Sequence, residues 1–304
     1  MEIYKSLDDI KDKPAVVLAV GSFDGLHQGH HAIIDAVRTE ANRQGVKSMI
    51  ITFAPTPREV LSGQKVIALM KPEEKIAKIQ SLGIDIVCVK HFDLAFAKMG
   101  RDDFIKRLLT YLDLKTLVAG PDHHIGRKHE GSISYLHEAG KVHGFDLIIV
   151  PKARYKGVDI SSQLIRKTLK EGNIEDVNAT LGYTYNILGS IVRGVKRGRS
   201  LGFPTLNIKQ DLFPVMIPGY GVYCVTVLLE GKRLPAVCNI GVRPTFLEDH
   251  LSIEVHVINT HLESLYGKPI EIYFERFVRE ERKFESKDAL IEQIRKDIEK
   301  CKTY

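Results

Sequence analysis

The chain has 304 residues, which is enough for two domains that each bury a hydrophobic core. Hydrophobic residues make up 44% of it and charged residues 27%, a balance that excludes a disordered chain. The formal net charge of +6 suits partners that carry phosphate, such as nucleotides or nucleic acids, and selects none of them.

The start of the chain and its cysteines bear on where the protein works. Residues 1–13 are mostly polar and hold no apolar core of signal-peptide length. No stretch approaches the roughly 18 apolar residues that cross a bilayer. The cysteines are scattered without a CxxC pair, at Cys88, Cys224, Cys238 and Cys301. We therefore expect a cytoplasmic protein with free thiols rather than a zinc site.

The first half of the chain predicts an open α/β sheet. Short, nearly continuous apolar runs are typical of strands that are buried on both faces of a parallel sheet, and amphipathic stretches between them predict helices. The runs span 15–23, 47–55, 85–92, 115–122 and 146–152, and the amphipathic stretches span 30–45, 71–83 and 101–114.

The second half of the chain has a different pattern. Alternating apolar and polar residues, with turn residues between them, predict the closely spaced antiparallel strands of a β-barrel. The segment 161–182 predicts a helical link, and 286–304 predicts a terminal helix that Ser286 caps. The alternating segments span 185–198, 221–241, 251–259 and 269–280. We therefore predict one domain over 1–182 and a second over 183–304.

The turn after the first predicted strand reads GSFDGLHQGH, residues 21–30. Ligands of open parallel sheets bind beyond the carboxyl ends of the strands, where loop amides and a helix N-terminus attract phosphate. His27 and His30 are three residues apart near the predicted helix start, so both rings can donate hydrogen bonds to one phosphate chain. Gly25 and Gly29 keep the backbone close to such a ligand. The alternatives are a metal pair or two surface histidines. A P-loop is excluded because no GKS or GKT follows.

A second segment, ISSQLIRKTLKEG, has features of a phosphate site as well. Ser161 or Ser162 can cap a helix and help to hold phosphate. Arg166 follows about one turn later and can neutralise charge on a leaving pyrophosphate. The alternative is a capped helix that carries a surface arginine.

The segment GRSLGFPTLNI, which begins at Gly198, predicts a nucleotide site in the second half. The hydroxyl of Thr205 and the amide oxygen of Asn207 are hard ligands suited to a Mg²⁺ ion that carries nucleotide phosphates. Gly198 and Gly202 let the loop fold over those phosphates, and Pro204 stiffens the segment that presents Thr205.

Glu254 is the candidate base of that second site. It lies in the alternating segment SIEVHVIN, on the opposite face from Ile253 and Val255. An inward carboxylate at this place can take a proton from a hydroxyl that attacks the γ-phosphate. The alternative is an exposed strand carboxylate, which is the more usual environment for glutamate.

These segments resemble known signatures. GSFDGLHQGH resembles the nucleotidyltransferase signature in which HxGH binds ATP phosphates, and ISSQLIRKTLKEG resembles the ISSTxIR signature of the same superfamily. GRSLGFPTLNI, together with CNIGVRPTF (238–246), resembles the riboflavin kinase domain and its hallmark G-R-x-L-G-F-P-T-x-N. In this order, the signatures make the chain similar to the bacterial bifunctional riboflavin kinase/FAD synthetase family.

The resemblance implies a fold and two reactions. The fold is an N-terminal Rossmann-like nucleotidyltransferase domain with an open parallel sheet, followed by an antiparallel β-barrel riboflavin kinase domain with a terminal helix. Riboflavin and ATP give FMN in the barrel, and FMN and ATP give FAD and pyrophosphate in the N-terminal domain, both with Mg²⁺. The implied partners are ATP, riboflavin, FMN and FAD, with no membrane and no nucleic acid.

The same resemblance implies the site residues. The catalytic residues are His27, His30, Arg166 and Glu254. The residues that bind ATP or phosphate are Gly21, Phe23, Asp24, Gly25, Gly29, Ser161, Ser162, Gly198, Gly202, Pro204 and Thr205. Asp122 and Asn207 bind flavin, and Thr205 and Asn207 bind the metal. Glu254 is the base that accepts the proton of the ribityl 5′-hydroxyl.

Two N-terminal segments depart from the family pattern. The family commonly has a histidine where this chain has Thr56, and it commonly has GxDFxFG where this chain reads GPDHHIG, residues 120–126. The missing aromatic rings predict a weaker FMN pocket. Adjacent His123 and His124 in a strand point to opposite faces, so a metal site that they share with the nearby His129 is disfavoured.

Two alternatives to the two-activity enzyme stay open. The same scaffold can retain riboflavin kinase and have a weakened adenylyl transfer, in which case FMN accumulates without FAD. A nucleic-acid-binding regulator would instead show steeply salt-dependent binding and little turnover. The basic segment 193–199 is the nearest feature that supports a regulator, and it overlaps the predicted kinase loop.

Overall fold

The computed structural model describes residues 1–62, 67–194, 202–210, 214–244, 249–260 and 265–302. It divides into two compact units, Met1–Ser162 and Gln163–Tyr304. This division falls at the start of the predicted helical link, whereas the predicted domain boundary falls at its end. No helix within the described ranges is both long and apolar enough to cross a bilayer.

The first unit is built on a six-stranded parallel sheet, as the apolar runs predict. Its strands lie in the order β1-β4-β3-β2-β5-β6. They span Glu2–Tyr4, Ala15–Val20, Lys47–Phe53, Ile86–Lys90, Asp113–Ala119 and Asp146–Ile149 for β1 to β6. The central strands are buried almost throughout because helices cover both faces of the sheet. Strand β1 was not predicted from the sequence, because its segment is short and largely exposed, and it pairs with β4 at the edge of the sheet.

In the described part of the first unit, six α-helices connect the strands. They are α1 (Gln28–Gln44), α2 (Pro57–Ser62), α3 (Pro72–Ser81), α4 (Leu94–Ala97), α5 (Arg101–Tyr111) and α6 (Ile133–His143), and a small hairpin of β7 (Arg154–Tyr155) and β8 (Val158–Asp159) follows. The three helices that the sequence predicts here are α1, α3 and α5. Helix α1 ends at Gly45, where a positive φ of 68° suits glycine.

The predicted helical link forms two helices instead of one. Helix α7 spans Ser162–Lys170 and α8 spans Ile174–Leu181. Helix α8 packs against a strand of the second unit, since Asn178 Nδ2 donates to the carbonyl of Phe274 at 2.8 Å. Helix α8 ends at Gly182, as predicted, with a left-handed cap.

The second unit contains a closed antiparallel barrel, as predicted. Its strands lie in the order β10-β13-β12-β11-β14-β9, and β9 closes against β10. They span Asn186–Val192 (β9), Leu206–Gln210 (β10), Gly221–Leu229 (β11), Lys232–Pro244 (β12), Asp249–Val257 (β13) and Pro269–Arg279 (β14). Alternate residues of each strand fill the interior, and this produces the period of two in the sequence.

The terminal helix α9 spans Lys287–Lys302 and lies against the barrel. Ser286 caps it, as predicted, because its Oγ accepts a hydrogen bond from the backbone of Ala289 at 3.1 Å. Cys301 of α9 forms a disulfide with Cys224 of β11. The expectation of free thiols is therefore wrong for these two residues. Cys88 and Cys238 are free and buried.

A buried ion pair also fixes α9 to the barrel. Arg279 of β14 donates from Nε to Asp297 Oδ2 at 2.9 Å, and Gln293 donates to the other oxygen at 2.7 Å. The Asp297 side chain is 2% exposed. Removing one partner of a buried pair leaves the other charge uncompensated. We therefore expect Asp297→Ala to lower the free energy of unfolding of this unit by about 3 kcal/mol, measured by urea denaturation.

The control for Asp297→Ala lies on the same helix. Glu292 pairs with Lys296 at the surface, where the two side chains are 67% and 62% exposed. Surface pairs of this kind contribute less than about 1 kcal/mol. Glu292→Ala should therefore leave the urea midpoint nearly unchanged. Equal destabilisation by the two variants would contradict the role that we give to Asp297.

Candidate active sites

The turn between β2 and α1 is tightly wound. Phe23, Gly25 and Leu26 have positive φ angles of 49°, 79° and 39°. Such angles are costly for residues other than glycine, and strained turns of this kind cluster at functional sites. The Phe23 side chain is buried beside Gly21, where an added Cβ would lie 3.1 Å from the ring. The turn ends at His27, the N-cap of α1.

His27 and His30 lie together at the start of α1. Nδ1 of His27 accepts a hydrogen bond from the backbone of His30 at 3.3 Å. The two rings stack with centroids 3.6 Å apart and planes 15° apart, which is the shared orientation that their spacing predicts. Gly29 makes room for this arrangement, because an added Cβ would lie 3.2 Å from the His27 ring.

Burial keeps both histidines uncharged. Desolvation lowers the pKa of His27 to about 4 and the pKa of His30 well below its usual value. Because Nδ1 of His27 accepts a hydrogen bond, its proton lies on Nε2, which is then a donor. Nδ1 of His30 is buried and has no hydrogen-bond partner in the described ranges. The pair can therefore offer neutral donors to an anion, and the alternative of two surface histidines is wrong.

Asp24 and Ser162 join the two predicted phosphate segments within the first unit. Ser162 Oγ donates to the carbonyl of Asp24 at 2.9 Å, although the residues are 138 positions apart. The Asp24 side chain is buried, and it accepts a hydrogen bond from the backbone of Leu69 at 3.0 Å. Helix α7 starts at Ser162, so the exposed Ser161 takes the N-cap position. Arg166 follows one turn later and is half-buried.

A cavity of about 540 Å³ opens at the carboxyl ends of the parallel strands. Four phenylalanines line it, namely Phe53, Phe92, Phe96 and Phe104, and their rings meet largely edge to face at centroid distances of 5.4–6.1 Å. Their planar surfaces suit a flat heteroaromatic ring. The expected shortage of aromatic rings is therefore not observed, since these rings come from other elements. Thr56 instead supports α2, where its Oγ1 accepts from the backbone of Glu59.

Segment 120–126 forms a turn and not a strand, and its residues 122–126 line the same cavity. The backbone N–H of His123 donates to the carbonyl of Gly120. His123 and His124 therefore do not lie in a strand, and the expectation that they point to opposite faces of a strand does not apply. Burial lowers the pKa of His123 to about 4. His124 packs edge to face on His129, with centroids 5.4 Å apart. Within the described ranges, no group of three His, Cys, Asp or Glu side chains is placed to hold a metal.

Two further groups complete this end of the sheet. Asp122 is exposed at the cavity and forms an ion pair with Lys152. Lys75 of α3 is buried and donates hydrogen bonds to the ends of β2 and β3. Lys75 was not predicted from the sequence. The available signal was a lysine four residues before Ile79, on the apolar face of a predicted helix.

The second candidate site surrounds Glu254 on β13. Glu254 accepts hydrogen bonds from Thr205 Oγ1 at 3.2 Å and from Ser252 Oγ at 3.3 Å. Ile253 and Val255 fill the barrel interior, so Glu254 lies on the outer face. The prediction of an inward carboxylate is therefore wrong in direction. The carboxylate is half-buried nonetheless, because the chain around α9 covers this face.

A cavity of about 710 Å³ lies between the outer face of the barrel and α9. Its lining includes Thr205, Glu254 and Arg279 together with Phe284 and Leu290. Further lining residues include Asn239 and Glu281, where Asn239 Nδ2 donates to Glu281 Oε1 at 3.0 Å. Neither residue was predicted, because nothing local in their segments distinguishes them from exposed strand and loop positions.

Oxygen donors converge beside Glu254. Asn207 of β10 lies directly opposite Glu254 in the strand register. Its amide packs against Gly194, where an added Cβ would lie 2.0 Å from Nδ2. The hydroxyl of Thr205, the amide oxygen of Asn207 and the Glu254 carboxylate are the hard donors that Mg²⁺ prefers, so these residues fit that ion.

The rest of the predicted loop is only partly described. Gly202 has a φ of 84° and is exposed, as a turn over a ligand requires. The carbonyl of Pro204 interacts with Nδ1 of His256 at 2.9 Å. Gly198 lies outside the described residues, so its predicted role stays a prediction.

Comparisons with known proteins divide the chain in the same way. Residues 9–164 match the family model described as FAD synthetase, and residues 181–304 match the family model described as riboflavin kinase. Each match falls largely within one of the two units.

Full-length relatives match both halves together. A bifunctional riboflavin kinase/FMN adenylyltransferase of Listeria monocytogenes is 36% identical over 291 residues, which cover 95% of this chain and 92% of the relative. The enzyme of the same description from Escherichia coli K12 is 34% identical, with coverage of 98% and 96%. A solved structure from Streptococcus pneumoniae, described as a macrolide-efflux protein, has a TM-score of 0.90 at 26% identity over 99% of this chain and 98% of that chain.

Proposed function

This chain belongs to the bifunctional riboflavin kinase/FMN adenylyltransferase family, and from that premise we propose how its two units divide the work. The protein is a transferase that phosphorylates riboflavin to FMN and adenylylates FMN to FAD. We assign the kinase reaction to the cavity beside Glu254, and the adenylyl transfer to the turn at His27 and His30. The observation that carries the assignment is the set of oxygen donors at Glu254, of which Thr205 and Glu254 itself line the cavity of about 710 Å³.

In the kinase reaction, Glu254 acts as the base. Its carboxylate accepts the proton of the ribityl 5′-hydroxyl while that oxygen bonds to the γ-phosphorus of ATP. The bond from the γ-phosphorus to the bridging oxygen breaks, and ADP leaves. Thr205 and Asn207 would hold Mg²⁺, which when bound neutralises charge on the ATP phosphates. Thr205 also orients Glu254 through its hydrogen bond.

In the adenylyl transfer, the protein binds and orients both substrates without a covalent intermediate. A phosphate oxygen of FMN bonds to the α-phosphorus of ATP, and pyrophosphate leaves as the α–β bridging bond breaks. His27 and His30 donate hydrogen bonds to the phosphate chain as negative charge develops. Ser161 and Ser162 are the proposed groups for the leaving pyrophosphate, and the predicted role of Arg166, which lies in the second unit, stays a prediction.

The phenylalanine-lined cavity is the proposed site for the flavin ring of FMN. Its four rings can enclose the isoalloxazine, and Asp122 borders it on the polar side. The cavity also borders Gly21 and Ser22 of the turn that we assign to ATP, so both substrates would meet at one sheet edge. No feature of the described chain favours the alternative of a weakened adenylyl transfer or of a nucleic-acid-binding regulator.

One assay tests this function. The purified protein is incubated with riboflavin, ATP and Mg²⁺, and the flavins are separated by liquid chromatography. We expect FMN to appear first and FAD to follow, and we expect excess EDTA to stop both steps because the ATP phosphates then lack their cation. FMN that accumulates without FAD would support the single-activity alternative. Absence of both products would refute the proposal.

A further inference from the structure

Lys75 of α3 is a buried cation beneath the turn that follows β2. The residue is 5% exposed. Its Nζ donates hydrogen bonds to the carbonyl of Ser22 at 3.0 Å, to Thr52 Oγ1 at 2.9 Å and to the carbonyl of Phe53 at 3.2 Å. Thr52 in turn donates to the same Ser22 carbonyl at 3.0 Å. The ammonium therefore connects the turn that follows β2 to the end of β3 by hydrogen bonds.

Packing alone does not explain a lysine at this position. Ile79, one turn later on the same face of α3, is completely buried, and an apolar residue at position 75 would avoid the desolvation of a charge. Among the described residues, the hydrogen bonds of Lys75 all go to uncharged oxygens. The charge is thus retained at a place where its hydrogen bonds fix the position of the turn backbone.

The surroundings of Lys75 connect it to the histidine pair. The charged and titratable groups that face it are Asp24 on the turn, which attracts it, and His30 on α1, which it repels when His30 is protonated. Thr52 and Phe53 of β3 bring no charge. Ser22 and Phe53, whose carbonyls Lys75 holds, also line the phenylalanine-rich cavity.

We propose that Lys75 is a positioning residue for the adenylyl transfer. Its ammonium holds Ser22 against the end of β3, so that the phosphate-binding turn and the flavin cavity keep one relative position. The same charge adds to the effect of burial, which keeps the His30 imidazole neutral and able to donate a hydrogen bond. This inference rests on the proposed function, because the turn needs this geometry only if ATP binds there.

Protonation of Lys75 gives the inference a signature in pH. Burial lowers the pKa of Lys75 to about 8, from an ordinary 10.5. Adenylyl transfer should therefore decline as pH rises through about 8, because the neutral amine donates fewer hydrogen bonds. The stability of the first unit should change in the opposite direction and increase with pH. Between pH 8 and 10.5 the unfolded chain binds more protons than the folded chain, so the first unit becomes more stable as pH rises.

The experiment compares Lys75→Met with Lys106→Met, a matched change at an exposed position of α5. For Lys75→Met we expect kcat for FAD formation from FMN and ATP to fall about tenfold at pH 7, with the KM for FMN within twofold of wild type. The melting temperature should not fall, since methionine removes a buried charge. The riboflavin kinase activity of the same chain should be unchanged in both variants.

The pH series supplies the second measurement. For each protein, the rate of FAD formation is divided by its riboflavin kinase rate at the same pH. This ratio should fall between pH 8 and 9.5 for wild type and for Lys106→Met, and it should not fall for Lys75→Met. If Lys75→Met forms FAD as fast as wild type at every pH, Lys75 is not a positioning residue. The same holds if its FAD formation falls only in step with a lower melting temperature. A wild-type chain that forms no FAD at all would instead refute the proposed function itself.

Discussion

Glu254→Gln is expected to lower kcat for FMN formation from riboflavin about 10³-fold, since a general base contributes roughly 10² to 10⁴ in rate. The amide keeps the size of the side chain, and its oxygen still accepts the hydrogen bond that Thr205 donates at 3.2 Å. What is lost is the ability to take the proton of the attacking hydroxyl. FMN supplied directly should still be converted to FAD, because that reaction uses the other unit.

The matched control for Glu254→Gln is Glu275→Gln. Glu275 is also a half-buried strand glutamate of the barrel, on β14, and it does not line the cavity of about 710 Å³. We expect its kinase activity to stay within twofold of wild type. Both flavins are measured by chromatography in a single time course. If Glu254→Gln phosphorylates riboflavin as fast as Glu275→Gln does, Glu254 is not the base.

The two halves of the fold could be predicted from the sequence because each has its own period of hydrophobic residues. The continuous run 15–20 indicates a strand that is covered on both faces, and the alternation in 251–257 indicates a strand with one face in a core. The edge strand 2–4 shows neither a continuous apolar run nor an alternation, because most of this strand is exposed to solvent. Its position depends on pairing with β4, which no local signal encodes.

Pairings between distant residues explain the other differences. Cys224 and Cys301 are 77 residues apart, and their spacing alone gives no reason to join them. The alternation of the sequence places the side chains of Glu254 and Ile253 on opposite faces of β13. It does not determine which of the two faces points into the barrel. A carboxylate on the outer face becomes part of a cavity only because the chain returns as α9 to cover it.

The candidate site in the first unit was predicted where its residues are adjacent in the chain. His27 and His30 share one turn of backbone, so their spacing is enough to predict that their rings meet. The phenylalanine rings of the cavity and Lys75 come from separate elements that the sheet brings together. The departures of segment 120–126 from the family pattern therefore suggested that the cavity lacks aromatic rings. The phenylalanines that line it come from other elements, so the segment alone could not reveal them.

His30→Ala is expected to reduce FAD formation from FMN by about 10²- to 10³-fold, the usual loss when one donor to a developing oxyanion is removed. Riboflavin kinase activity should be unchanged, because Glu254 and its partners lie in the other unit. The control is His31→Ala, the adjacent histidine of the same helix, to which we assign no role in the reaction. If His30→Ala forms FAD as fast as His31→Ala, the imidazole does not act on the phosphates.

Acid stability of the His30→Ala variant provides an independent check that His30 is neutral in the folded protein. Desolvation lowers the pKa of His27 to about 4 and the pKa of His30 well below its usual value, whereas both titrate near 6.5 in the unfolded chain. Between pH 6.5 and 4 the unfolded chain therefore binds more protons, and the folded first unit loses stability as pH falls. The urea midpoint of wild type should drop between pH 7 and pH 5, and that of His30→Ala should drop less. Equal drops would mean that folding does not lower the pKa of His30, which would contradict the burial that we give as the reason for its neutral state.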